Sequence, residues 1–150
     1  MSEYKLAEEI VALSESDNWQ DAKHEWKLIH ICYEDEPDTC LCGHFPIKEL
    51  CFIKNIKNKN ETFVGNCCVK KFLGISTGTM FTSLRKIKND KDKSPSEDLI
   101  RHAHANRWIN DWEKKFAIDM LRKRKLTWSQ LLKRKEINEI IIRRAIKSSS

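Results

Sequence analysis

The sequence predicts an α+β fold: an N-terminal helix and strand, a cysteine-bearing β-hairpin module, and a C-terminal segment of two to three helices. Three observations predict it. Five of the six cysteines and two of the four glycines crowd into residues 38–73. Two β-rich runs flank the polar turn 57–60, which is the pattern of a hairpin. Beyond residue 93 the apolar residues recur at helical spacing. The expected organisation is an α+β module over 1–80, a short helix and charged linker over 81–93, and a basic helical tail over 94–150.

A chain of 150 residues is one domain, or a small domain with an appendage, and 40% hydrophobic content is enough to build a core. The apolar runs, such as 140–142, 10–13 and 50–53, are far too short to cross a bilayer, so no membrane partner is expected. The first residues carry acids where a signal peptide needs a basic flank and an apolar core, so the expected location is cytoplasmic. A reducing compartment favours metal-bound thiolates over disulfides. The net charge of +6 is unevenly spread: residues 1–50 hold four basic and twelve acidic side chains, whereas 101–150 hold fourteen basic and five acidic. That asymmetry suits either an anionic partner for the tail or attraction between the halves.

Leu6, Ile10 and Leu13 predict a helix over 3–13. A polar break at 14–18 follows, with Ser16 or Asp17 as the cap of a helical turn through Trp19, Ala22 and Trp26. The β-rich run 26–33 reads as a strand on which His30 and Cys32 face one side, as half-buried sheet residues rather than ligands. The acidic stretch 34–38, broken by Pro37, reads as a solvated turn.

Cys40 and Cys42 ahead of Gly43 form a knuckle, in which glycine lets the backbone turn and aim amides at sulfur. A strand starting at Cys51, the turn 57–60 and a strand over 61–64 form the hairpin, and a helix begins at Cys67 and Cys68. Knuckle, hairpin and helix N-terminus make a treble-clef or zinc-ribbon-like module, and the positive end of a helix stabilises thiolate. Zinc takes four ligands. Adjacent residues at a helix start point about 100° apart, so one of Cys67 and Cys68 binds and the other packs inward. Cys68 is preferred because Val69 and Phe72 anchor its turn. The expected set is Cys40, Cys42, Cys51 and Cys68, with Cys67 and His44 in reserve for Cys51. The expected zinc is structural, since neither an H-E-x-x-H nor an H-x-E with a P-C-x-x-C is present. The histidines at 102 and 104 diverge on a helix. No catalytic constellation is found, and the protein is expected not to be an enzyme.

Phe81, Leu84 and Ile87 mark a short helix, capped by Thr79 or Thr82, and 89–93 is a charged linker. Ser94, Pro95 and Glu97 match a capping box with Ser94 as N-cap. The helix after it carries Ala105, Trp108, Ile109, Trp112, Phe116 and Met120 on one face, read as core rather than as a base-stacking platform. Two basic runs follow, Arg122, Lys123, Arg124 and Lys125, then Lys133, Arg134 and Lys135. Between them Thr127 and Gln130 form a second capping box. The last helix has Trp128, Leu131, Leu132, Ile142 and Ile146 on one face and Ile137, Ile140 and Ile141 on the other. Two apolar faces mean that it is sandwiched, kinked near residues 135–136, or buried by a second copy of the chain.

Cys40, Cys42 and Gly43, then Ile47, Leu50, Cys51, Phe52, Ile53 and Asn55, then Val64, Gly65, Cys68 and Val69 form a CxCG–hairpin–VGxxCV pattern. It resembles small uncharacterised zinc-binding proteins of bacteriophages, prophages and some large DNA viruses. Leu126, Thr127, Trp128 and Gln130, followed by Ile137 and Asn138, are similar to an "LTxxQ…IN" helical element of the same proteins. The two patches cover less than half the chain. The resemblance implies a zinc-binding viral protein in the host cytoplasm and supplies no activity.

Two functions are expected. The first is a non-enzymatic, phage-derived zinc-binding accessory protein that contacts DNA or RNA phosphates through the two basic runs. The alternative is a protein-binding module that inhibits or redirects a host enzyme, using the acidic first third and the surplus apolar face of the last helix.

Overall fold

Leu6 and Ile10, one helical turn apart, are both buried, and they give α1 (Ser2–Ala12) its inner face. In the computed structural model, which describes residues 2–147, this helix opens the first of two units. That unit takes Met1–Thr77 with Lys147–Ser150, and the second takes Gly78–Ile146. The second unit includes the helix and linker expected over 81–93 together with the helices after them.

In the first unit α1 is followed by a single helical turn, α2 (Trp19–Ala22), and a 3-10 turn, Lys23–Glu25. Asn18 caps α2, accepting from the Asp21 amide at 2.9 Å, in place of the expected Ser16 or Asp17. The Ser16 amide is already committed, to Glu25. Trp26 lies in a strand, not in the helical turn expected to reach it. The strands β1 (Trp26–Asp38), β2 (Ile47–Asn55) and β3 (Glu61–Gly65) pair antiparallel, and the short β4 (Ile146–Lys147) completes the sheet order β3-β2-β1-β4.

The stretch 34–38 continues β1 instead of forming a turn. The β1–β2 register breaks after Tyr33 and resumes at Asp38 opposite Ile47, while Asp35, Glu36 and Pro37 are exposed. An interrupted ladder tolerates a proline that has no N–H to give.

Ile31, Cys51 and Val64 meet across the three strands, and with Ile53 and Leu50 they are fully buried. His30, Phe52 and Phe63 make a second cross-strand row, with ring centroids 4.8 and 5.6 Å apart. The helix α3 (Asn66–Leu73) buries Cys68, Val69 and Phe72, the last 5.4 Å from the Trp19 ring.

The loops of this unit are tied by one carboxylate. Glu25 is only 2% exposed. Its Oε1 accepts from the Glu15 amide at 2.8 Å and from Asn55 Nδ2 at 2.9 Å, and its Oε2 from the Ser16 amide at 2.9 Å. Asn55 Oδ1 in turn accepts from the Lys57 and Asn58 amides in the hairpin turn. Asn58 and Asn60 donate to the Leu13 carbonyl, each at 2.9 Å. A chain break before β1 and the turn after β2 are thus joined through charge-assisted bonds.

The second unit is helical: α4 (Gly78–Asn89), α5 (Glu97–Ala105), α6 (Asp111–Asp119) and α7 (Trp128–Ala145). Met80, Phe81, Leu84, Ile87, Leu99, Ile100, Ile137 and Ile141 form its core. Each such side chain contributes about 1.5–3 kcal/mol on burial.

Ser96, not Ser94, caps α5, through the Leu99 amide. The expected single stripe from Ala105 to Met120 is divided between two helices. Asn110 and Glu113 close a capping box that starts α6 afresh, and Trp108 sits in the turn between. Trp112 is 59% exposed rather than core.

The last helix runs unbroken from its Thr127–Gln130 capping box, without the kink that was one option. Its Ile137, Asn138, Ile141 and Ala145 face inward, and Trp128 and Leu132 face out. Asn138 Nδ2 donates to the Lys91 and Lys93 carbonyls at 2.8 Å each, so α7 holds the charged linker against itself. No helix among the described residues is long and apolar enough to cross a membrane.

The Glu25 carboxyl is held down to about 2 from 4.5, first by the Ser16 hydroxyl, then by Asn55 and by the Glu15 and Ser16 amides, with burial acting against them. A depressed carboxyl stabilises the fold fully above pH 4.5, and that contribution disappears as the pH falls to about 2. Glu25→Gln should therefore lower the urea midpoint at pH 7. Its deficit should shrink between those two values, and a deficit that does not vary with pH would count against the network.

Candidate metal centre

Gly43 has φ of +92°, a conformation that costs other residues and that closes the knuckle. Its amide donates to the Cys40 carbonyl at 2.8 Å, and the Cys40 amide donates to the His44 carbonyl at 3.0 Å. This turn sets the Cys40 and Cys42 side chains together. The third sulfur comes from α3, where Cys68 is the third residue after the N-cap Gly65. The sulfurs of Cys40, Cys42 and Cys68 all lie within 4.8 Å of one another, and all three residues are buried.

The group is electrostatically built for negative charge. The Gly65 amide donates to Cys40 Sγ at 3.3 Å. The Cys40 thiol is held well below its usual value, first by the hydrogen bond from Cys68, against the opposing effect of burial, with the Cys42 and Gly65 amides assisting. Cys68 is pushed up, because it supplies the proton of that bond and is itself buried. Three sulfurs in one buried place hold protons between them, or a soft cation in their stead. Around tetrahedral zinc, with Zn–S near 2.3 Å, sulfurs lie about 3.8 Å apart, a spacing compatible with three sulfurs all within 4.8 Å of one another. Cys40, Cys42 and Cys68 would hold the ion, and it would add a cross-link between knuckle and helix.

Cys51, expected as the fourth ligand, stands outside the group. β2 begins at Ile47, which puts Cys51 in the middle of a strand with 0% exposure. Its sulfur lies 3.5 Å from Thr77 Oγ1, and burial pushes the thiol up to about 11. It is a core residue. Cys67 and His44 are exposed and do not join the three sulfurs either. His30 stacks on Phe52, and Cys32 is buried in β1.

The basic residues divide into two classes. Arg122, Lys123, Arg124 and Lys125 are all exposed, in the loop between α6 and α7 rather than on a helix. Lys123 Nζ donates to Gln130 at 3.0 Å, whereas Arg122, Arg124 and Lys125 have no ion-pair or hydrogen-bond partner among the described residues.

The second run is committed. Lys133 lies 3.3 Å from Glu136 and 5.2 Å from the centre of the Trp112 ring. Arg134, half-buried, donates to the Asp92 and Met120 carbonyls at 3.2 and 3.1 Å. Lys135 pairs with Asp92 at 3.2 Å. Of seven expected phosphate contacts, these three serve first to hold the linker and the helices together.

One participant was missed in the sequence, the Gly65 amide, which a glycine three residues ahead of Cys68 signals. The chain matches no known protein family, no curated protein and no solved structure.

Cobalt(II) titration should give the near-ultraviolet thiolate band of a sulfur-rich site. Cys40→Ser, Cys42→Ser and Cys68→Ser should each abolish or strongly weaken it, and Cys51→Ala should leave it intact. Loss of the band in Cys51→Ala with correct folding would restore Cys51 as a ligand.

Proposed function

We propose that this chain is a non-enzymatic, zinc-binding accessory protein of phage origin. Its knuckle, hairpin and helix form a treble-clef module, and its basic loop binds nucleic acid through phosphate contacts. The observation that carries the metal assignment is the buried trio of Cys40, Cys42 and Cys68, with an amide already aimed at sulfur. Buried sulfurs suit a structural ion that cross-links the fold. The phosphate reading rests on the loop 122–125, whose arginines stand exposed and unpaired. Cations that make no internal pair cost nothing to redirect to an external anion, unlike Arg134 and Lys135. Contacts of this kind position a polyanion without reading its sequence.

A second reading, a module that docks on a host protein, is supported by the exposed acidic segment 35–37 of β1. A host-protein complex that persists through nuclease treatment and high salt would favour it.

If four cations of the loop neutralise phosphates, log affinity for duplex DNA should fall with log salt at a slope of about −3.6, roughly a hundredfold loss between 50 and 200 mM. Charge reversal at Arg122 and Arg124 should flatten the slope by about 2. Charge reversal at Lys135 should instead lower stability, through its pair with Asp92. Absence of binding at low salt would defeat the nucleic-acid reading.

A further inference from the structure

Trp128 is 77% exposed, the most exposed large hydrophobic side chain among the described residues. Burying a tryptophan removes roughly 150–250 Å² from water, so one left outside at the start of a well-capped helix is not there for the fold. The helix does not need it: α7 is anchored by Ile137, Asn138, Ile141 and Ala145 on its other face. Leu132, one turn on, is also exposed and extends the same side.

The first turn of α7, which carries Trp128, is tied to the basic loop. Gln130 Oε1 accepts from the Thr127 amide and from Lys123 Nζ, both at 3.0 Å, and Gln130 N donates to Thr127 Oγ1 at 3.2 Å. These bonds fold the end of the basic loop back onto the first turn of α7. Lys125 is three residues from Trp128, within about 10 Å along the chain. No acidic residue occurs between Asp119 and Glu136.

We propose that Trp128 is a stacking platform for an unpaired base, and that the loop cations beside it hold the flanking phosphates, so that the preferred partner is single-stranded nucleic acid. This deepens, and rests on, the reading of the loop 122–125 as a phosphate-binding element. An exposed indole offers a π-face to any base, and only a single strand has base faces free to take it. The segment around Trp128 carries cations and no acid from 120 to 135, a charge of one sign that suits a polyanion.

Fluorescence anisotropy with a labelled single-stranded oligonucleotide, and with the duplex of the same sequence, tests this on the full zinc-loaded chain. The wild type should favour the single strand. Trp128→Ala should weaken single-strand binding about tenfold or more, the scale of one stacked base, with duplex binding and both salt slopes unchanged. Trp128→Phe should recover most of the loss, and circular dichroism should show both variants folded. Single-strand binding by Trp128→Ala equal to the wild type would overturn the platform, even if reversal at Arg122 and Arg124 still flattened the salt slope and so kept the loop reading. No binding of either strand form at low salt would remove both. Concentration-dependent self-association lost in Trp128→Ala, in place of nucleic-acid binding, would reassign the surface to a second copy.

Discussion

Three sulfurs that must share one buried place set the terms for the first unit. Cys40 and Cys42 reach it from a knuckle and Cys68 from the first turn of α3, and they lie within 4.8 Å of one another. Left as thiols they hold one another's protons, and Cys40 is drawn towards thiolate by Cys68 and two amides. A soft cation resolves that competition by replacing the protons. In small zinc domains the apparent binding free energy is about 10–16 kcal/mol, larger than the stability of most folds of this size. A bound ion would not, however, be a substitute for a core. Leu6, Ile10, Ile31, Leu50, Ile53 and Val64 are already buried beside the sheet and α1.

Each unit also uses a buried polar group to order chain that has no regular structure. In the first, Glu25 gathers amides from the 13–18 break and, through Asn55, from the hairpin turn. In the second, Asn138 takes the carbonyls of Lys91 and Lys93, while Arg134 and Lys135 take Asp92. A loop without apolar residues cannot be held by burial, so it is held by hydrogen bonds to a rigid helix or strand. This is why Arg134 and Lys135, two of the cations expected as phosphate contacts, are engaged with the linker instead. The loop 122–125 lacks such ties except at Lys123, and its charge stays available.

The metal centre and the proposed binding surface therefore differ in kind. The first, the candidate metal centre, is a buried group of three sulfurs that could hold an ion. The second is an exposed loop and an exposed indole, both positioned by the capping box of α7. Rigid support beneath exposed groups is what recognition of a flexible polyanion requires.

Much of this was legible in local signals. The positions of α1, β3, α3 and α7 follow from apolar spacing, polar turns and the Thr127–Gln130 cap, whereas β2 starts four residues ahead of the expected Cys51. Cys40, Cys42 and Cys68 follow from a knuckle glycine and a helix start. These are short-range features, decided by residues within a few positions of one another, and a sequence displays them directly. Other features depended on partners far along the chain. Whether Cys51 met the metal or the core was decided by strand register, which set it opposite Ile31 and Val64. Ser96 rather than Ser94 begins α5 where its amide is held by the distant Ser83 hydroxyl. The inner face of α7 was settled by what it packs against, since either of its apolar faces could have turned inward. The sequence alone determined which residues could bind metal and anions; the tertiary structure decided which of them were spent on holding the fold, because burial and pairing are fixed only when distant segments meet.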